Sequence, residues 1–172
     1  MSDQIAVYPG TSLSEDDILE GKVLSIHDKL DGRYAWDTGI AIGQYLAGLK
    51  EGLILGAYCA TCRKTVVPPR IVCEWCFRPM TRYVPLKDTG TVNTFSLCYV
   101  TWDVKRIKKP EIPAVIEIDG ASPLHGILHK VGEIDPSEVH VGMRVKAVWK
   151  PPAEREGAIT DIICFTKLNT EV

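Results

Sequence analysis

The sequence lacks any apolar run long enough to cross a bilayer. Its most apolar helical window, TGIAIGQYLAGL at residues 38–49, is too short and too polar for that role. The opening MSDQIAVYPG is neither basic nor followed by the apolar stretch of a secretory signal. Together these absences predict a soluble, cytoplasmic protein. Excess positive charge is missing as well: 20 Lys and Arg face 22 Asp and Glu, a formal net charge of −2. A bulk electrostatic hold on nucleic acid is therefore excluded. At 172 residues the chain is too short for two full enzyme domains, yet long enough for one ordinary core and a small added module.

What the chain does have is cysteine in a telling arrangement. The stretch CATCRKTVVPPRIVCEWC sets Cys59, Cys62, Cys73 and Cys76 in two Cys-x-x-Cys pairs separated by ten residues. Two such knuckles facing each other supply four thiolates at the corners of a tetrahedron, the donor set of a closed structural Zn²⁺ site with no open position for water or substrate. Arg63, Lys64, Arg70 and Arg78 favour ionised thiols, and Pro68-Pro69 stiffens the return between the knuckles. Two disulfides or four free thiols are the alternatives. Disulfides fit poorly with a cytoplasmic chain, and a redox dithiol belongs in a βαβ context that is not visible here. Cys98 and Cys164 read as buried small hydrophobes. A nucleophile pair of Cys98 with His125 or His129 can be drawn, since both histidines fall on one face of an expected strand, but no third metal-type ligand has matching spacing.

Charge and periodicity divide the chain. Residues 1–58 hold four Lys or Arg against nine Asp or Glu, residues 59–82 five against one, and the remainder eleven against twelve. The cysteine block is thus locally cationic, and a second basic run follows at Lys105, Arg106, Lys108 and Lys109. Residues 1–35 form an acidic N-terminal arm with at most a short helix behind Ser14 as its cap. Residues 36–52 read as an amphipathic helix, capped by Asp37 or Thr38, with Ile42, Tyr45, Leu46 and Leu49 on one face and Gly52 as its stop. Gly39, Gly43 and Gly48 lower its intrinsic propensity, so it needs a surface to pack on. Residues 53–84 make the zinc ribbon and 85–172 a barrel.

In that last part the period becomes two. Strands are expected over 91–102, with Phe95, Leu97 and Tyr99 on one face, and over 113–119, 124–131, 143–150 and 158–167. Asp119-Gly120 is the turn between the second and third, and Pro136-Ser137-Glu138 a short helical turn between the third and fourth. Five strands with a helical insert in that place predict a Greek-key barrel of the oligonucleotide/oligosaccharide-binding (OB) type. The fold class is therefore mainly β: an N-terminal helix, a four-cysteine zinc ribbon, then a five-stranded OB-like barrel.

The segments from Trp36 through GLKEGLILGAYCATCRKTVVPPRIVCEWCF, then DTGTVNTFS, then VGMRVKAVWK, occur in the order found in the zinc-ribbon OB-fold proteins catalogued as a domain of unknown function, number 35. The resemblance covers 35–167 and leaves residues 1–33 outside. It implies a non-catalytic subunit that organises a thiolase-like partner in acyl-CoA metabolism and helps hold coenzyme A, with the catalytic residues on the partner. The thiolase that cleaves benzoylsuccinyl-CoA is one such setting. Under this reading Trp36, Tyr45, Leu46 and Leu49 meet the partner, the alternative being that the helix packs on the barrel. Arg70 and Arg78 near Trp75, Phe77 and Tyr83, or Lys105, Arg106 and Lys108 near Trp102, supply cations and an apolar shelf for coenzyme A. The competing reading is a single-stranded nucleic-acid module, with Phe95, Tyr99 and Trp149 stacking bases rather than filling a core.

Overall fold

The computed structural model describes residues 13–23, 26 and 32–168. The chain divides into two units, Met1–Trp36 and Asp37–Val172. In the first, Ser14 caps helix α1 (Glu15–Leu19). Its hydroxyl accepts the Asp17 N–H at 3.2 Å while Asp17 takes the Ser14 N–H at 3.1 Å, a reciprocal capping box. The Ser14 hydroxyl also donates to Asp17 Oδ2 at 2.7 Å, and this bond, with that from the Ser14 N–H, holds the Asp17 carboxyl below its ordinary range. The expected short helix is present; residues 1–12, 24–25 and 27–31 of the acidic arm lie outside the described residues.

The second unit opens with α2 (Gly39–Lys50), which starts behind Thr38, one of the two expected caps. Thr38 is the N-cap but makes no side-chain bond; Asp37 instead accepts the Gly39 N–H at 2.8 Å. The other end closes where expected. Gly52, at φ +77°, donates to Leu49 O at 2.9 Å and Leu53 donates to Gly48 O at 2.8 Å, the paired bonds of a Schellman stop.

A three-stranded antiparallel sheet follows, in the order β2-β1-β3, from β1 (Ile54–Cys59), β2 (Lys64–Val66) and β3 (Arg82–Leu86). The remaining strands are β4 (Thr89–Phe95), β5 (Cys98–Val100), β6 (Arg106–Ile118), β7 (Gly126–Val131), β8 (Arg144–Trp149) and β9 (Ile162–Lys167). Neighbours run β4-β8-β9-β7-β6, and β6 pairs back with β4, so five strands close the expected barrel. The β7–β9 seam is parallel and rests on a single register pair, Val131 with Phe165; the other barrel pairings are antiparallel. The helical insert before β8 is one 3₁₀ turn, Pro136–Glu138, capped by Asp135.

Three strand boundaries differ from the sequence reading by more than two residues. The strand expected over 91–102 is two, β4 and β5, separated at Ser96-Leu97. The strand expected from 113 begins at Arg106, because Pro110 and Pro113 sit where β6 has run past the last β4 pair, Phe95 with Ala114, and no donor to β4 is required of them. The last strand begins at Ile162 rather than 158, after the 3₁₀ turn Ile159–Asp161.

The barrel core gathers Val92, Ile116, Val145, Ile162 and Phe165, and α2 adds Tyr45 and Leu49 to it, with Leu46, Phe95 and Trp149 packed at its margin. A second cluster under the ribbon holds Ala57, Val66 and Met80 around Cys59 and Cys73.

Candidate metal centre and its surroundings

The two knuckles are built alike. Each Cys-x-x-Cys pair is followed by a residue with positive φ, Arg63 at 53° and Phe77 at 55°, which turns the chain back so that both sulfurs of a pair face inward. The Cys62 N–H donates to Cys59 Sγ at 3.4 Å, and in the second knuckle the Phe77 N–H returns to Cys73 O at 2.8 Å. The bridge Val72 with Pro79 closes that knuckle at its base.

All four sulfurs lie within 4.8 Å of one another. Cys59 Sγ is 3.6 Å from Cys76 Sγ, and Cys62 Sγ 3.8 Å from Cys73 Sγ. A tetrahedron with Zn–S bonds of about 2.3 Å has S···S edges of about 3.8 Å, so the donor set fits this ion. The protonation chemistry points the same way. The Cys62 N–H holds the Cys59 thiol down at about 7, whereas Cys62, bonded to the neighbouring Cys76 sulfur and desolvated, is pushed up to about 12. Four thiols this close do not all ionise on their own; a dication among them is what makes four thiolates compatible.

The cations expected around the site are spread over separate elements. Arg70 and Arg78 flank the second knuckle, both exposed, and Arg70 is paired with Glu74. Lys105 precedes β6 and is paired with Asp103 at 2.7 Å, while Arg106 and Lys108 lie exposed along β6 itself. Tyr45 and Leu49 are 4% and 0% exposed in this chain's own core, and Leu46 packs beside them. The helix face expected to meet a partner is thus covered by the barrel, because Gly48 lets α2 approach β1 closely: a Cβ there would stand 2.7 Å from Leu55 Cγ. Trp36 belongs to the N-terminal unit, where its ring lies 6.3 Å from that of Tyr34.

His125 and His129 do not form a shared face. His129 is on β7, with Nε2 3.2 Å from Ile159 O and its ring against Phe165. His125 precedes β7 and has Nε2 3.3 Å from Glu74 of the second knuckle, with Trp75 edge-on at 5.3 Å. Lys64 Nζ lies 5.8 Å from the same Trp75 ring. Ser122 completes this seam, its Oγ accepting the Thr65 N–H at 2.9 Å while its own N–H donates to Thr65 O at 2.9 Å. The ribbon is thereby tied to the β6–β7 loop, a link with no sequence signal because its partners are 50 or more residues apart. Cys164 is buried as expected, its thiol pushed up by desolvation; Cys98 is half-buried on β5.

One organising residue escaped the sequence reading. Asp161 is fully buried and accepts N–H bonds from Glu156, Gly157 and Ala158 at 3.1, 2.7 and 3.0 Å, with Lys150 at 3.7 Å. Burial pushes its carboxyl up, and these donors outweigh it, holding the group below the ordinary range. It folds the β8–β9 loop beside a cavity of about 460 Å³ lined by Lys130, Lys150 and aliphatic side chains of β7 and β9.

A ribbon with four clustered cysteines joined to a closed five-stranded barrel defines a zinc-ribbon OB-fold protein. Residues 46–80 match the family model of the ChsH2 rubredoxin-like zinc ribbon domain, and residues 83–150 that of the ChsH2 C-terminal OB-fold domain, together more than half the chain. The chain belongs to the zinc-ribbon OB-fold family known as DUF35. It is similar to a DUF35 domain-containing scaffold protein of Methanocaldococcus jannaschii, 28% identical over 111 residues that cover 62% of this chain and 76% of the relative. A crystal structure of a DUF35-family protein of unknown function from Sulfolobus solfataricus is 29% identical with a TM-score of 0.56, covering 64% of this chain and 79% of that one. The solved Ltp2–ChsH2(DUF35) aldolase has a TM-score of 0.58 over 78% of this chain and 98% of its counterpart; at 18% identity that likeness is one of fold. Among the described residues no helix is long and apolar enough to cross a membrane.

Proposed function

We propose that this chain is a non-catalytic, zinc-stapled subunit that organises an enzyme of acyl-CoA metabolism which makes or breaks carbon–carbon bonds, a thiolase in the first instance, in the cytoplasm. Cys59, Cys62, Cys73 and Cys76 hold one Zn²⁺ structurally. The observation that carries the reading is the closed four-sulfur cluster: all four donors face one another, so the metal they suit has no vacant position for substrate and acts by fixing the ribbon. The scaffold protein of Methanocaldococcus jannaschii supports an organising role. Exposed Arg78 beside Phe77 offers a cation and an apolar face to the phosphates and adenine of coenzyme A held by the partner. An aldolase partner is the second reading, favoured by the Ltp2–ChsH2(DUF35) aldolase of the same fold.

A tagged chain recovered at moderate salt, with its co-eluting proteins identified by mass spectrometry, tests this. A stoichiometric thiolase whose CoA-dependent β-ketoacyl cleavage falls when this subunit is stripped supports the first reading, and a retro-aldol activity with the same dependence the second. Recovery of nucleic acid without an enzyme overturns both.

A further inference from the structure

Between β4 and β6 the chain leaves the barrel as a short antiparallel ribbon. β5 pairs with β6 at Cys98 with Glu111 and Val100 with Arg106. Its tip is ordered by its own bonds: the Thr101 N–H donates to Lys105 O at 2.9 Å, the Val104 N–H to Thr101 O at 3.0 Å, and the Lys105 N–H to Thr101 Oγ1 at 3.2 Å. This ordering forces Val104 to φ +64°, a conformation β-branched residues avoid. It also exposes Trp102 by 96% and Val104 by 82%, with Tyr99 and Val100 exposed behind them. A strained, hydrogen-bonded turn that presents a tryptophan to solvent has no account within the barrel core; backbone strain of this kind gathers at binding sites, and Trp, Tyr and Arg dominate binding hot spots.

The flanks next to the tip are mainly cationic, with Asp103 paired to Lys105 and Glu111 further along β6. Arg106, Lys108 and Lys109 line β6 beside the tip. We propose that the β5–β6 hairpin is a docking knob that inserts Trp102 and Val104 into an apolar pocket of the catalytic partner, whose carboxylates face Arg106, Lys108 and Lys109. The proposal rests on the subunit reading above and assigns the interface to this hairpin in place of the buried face of α2. Charge decides among occupants. A second copy docked knob to knob would set the two cationic flanks against each other. A nucleic acid could use the cations and stack on Trp102 or Tyr99, but it would leave Val100 and Val104 without an apolar partner, and the chain's net charge of −2 opposes it.

The test uses the full chain with the catalytic partner identified in the pull-down, and two variants at exposed positions, Trp102→Ala and Lys108→Glu, each first shown to keep the wild-type zinc content and unfolding temperature. Calorimetric titration is expected to show Trp102→Ala weakening the complex by about 30-fold or more. Lys108→Glu is expected to slow association and flatten its salt dependence. Wild-type affinity in both variants overturns the inference and leaves the subunit reading standing. Loss of self-association or of oligonucleotide binding in the variants, with partner affinity unchanged, also overturns it. A wild-type chain that recovers no catalytic protein overturns the subunit reading and the inference together.

Discussion

Tyr45 shows how a single side chain can be placed correctly on a helix face and still be given the wrong neighbour. Its phenol is buried under the barrel, and its hydroxyl finds no hydrogen-bond partner among the described residues. A buried donor left unpaired costs about 1–3 kcal/mol, so Tyr45→Phe is expected to stabilise the fold by about 1 kcal/mol in denaturant titrations. The same desolvation pushes the hydroxyl up to about 12 from 10.0. The unfolded chain then loses its proton first: stability is unaffected below pH 10 and falls as pH rises from 10 towards 12, by up to about 3 kcal/mol. Unfolding curves of wild type and Tyr45→Phe should diverge across that window; parallel curves would mean that the hydroxyl is paired or solvated.

For an element, α2 is the instructive case. Its interior glycines weaken the helix equally by propensity but sit in different places. At Gly43 a Cβ would meet only Thr38 Oγ1, at 3.8 Å, whereas at Gly48 it would meet Leu55 Cγ at 2.7 Å and Leu53 O at 3.0 Å. Gly43→Ala is expected to stabilise by about 0.5–1 kcal/mol through helix propensity. Gly48→Ala is expected to destabilise by about 1–2 kcal/mol net, because overpacking outweighs the same gain. Equal effects from the two substitutions, read from thermal unfolding, would remove the close α2–β1 approach. The packing explains how a glycine-interrupted helix is stable here: the surface it needs is β1 and the barrel of its own unit.

On the scale of the whole molecule, two cores are joined by a polar seam. The ribbon cluster around Cys59 and Cys73 depends on its four thiols, while the barrel core closes on itself and takes in Ile54 and Val67 from the ribbon. Ser122, Thr65, His125 and Glu74 connect the two. Cys59→Ser is therefore expected to release the metal and destabilise the ribbon by about 4 kcal/mol or more, because ligation and ribbon folding are one event. Metal analysis should give one zinc per wild-type chain and none in the variant. Hydrogen exchange should show β1–β3 losing protection while β4, β8 and β9 retain it. A variant that keeps its zinc, or a barrel that unfolds with the ribbon, would contradict this division.

The order of helix, ribbon and barrel strands was readable in the residues because each rests on a local pattern: cysteine pairs three apart, alternation along the strands, a glycine beyond the helix end. The four-cysteine cluster was readable for the same reason, as Cys-x-x-Cys brings two sulfurs together within one turn. What the helix packs on, where the cationic side chains are spent in ion pairs, and how the ribbon is tied to the barrel depend on residues far apart in sequence. Tyr45 meets the barrel core, Glu74 meets His125, and Thr65 meets Ser122, none of which periodicity can indicate. The same limit hid the break that divides β4 from β5, since alternation continues through Ser96-Leu97 and only the loss of β4 pairing there turns the chain outward. Local backbone chemistry determined which elements form; long-range burial decided which of their faces stay exposed.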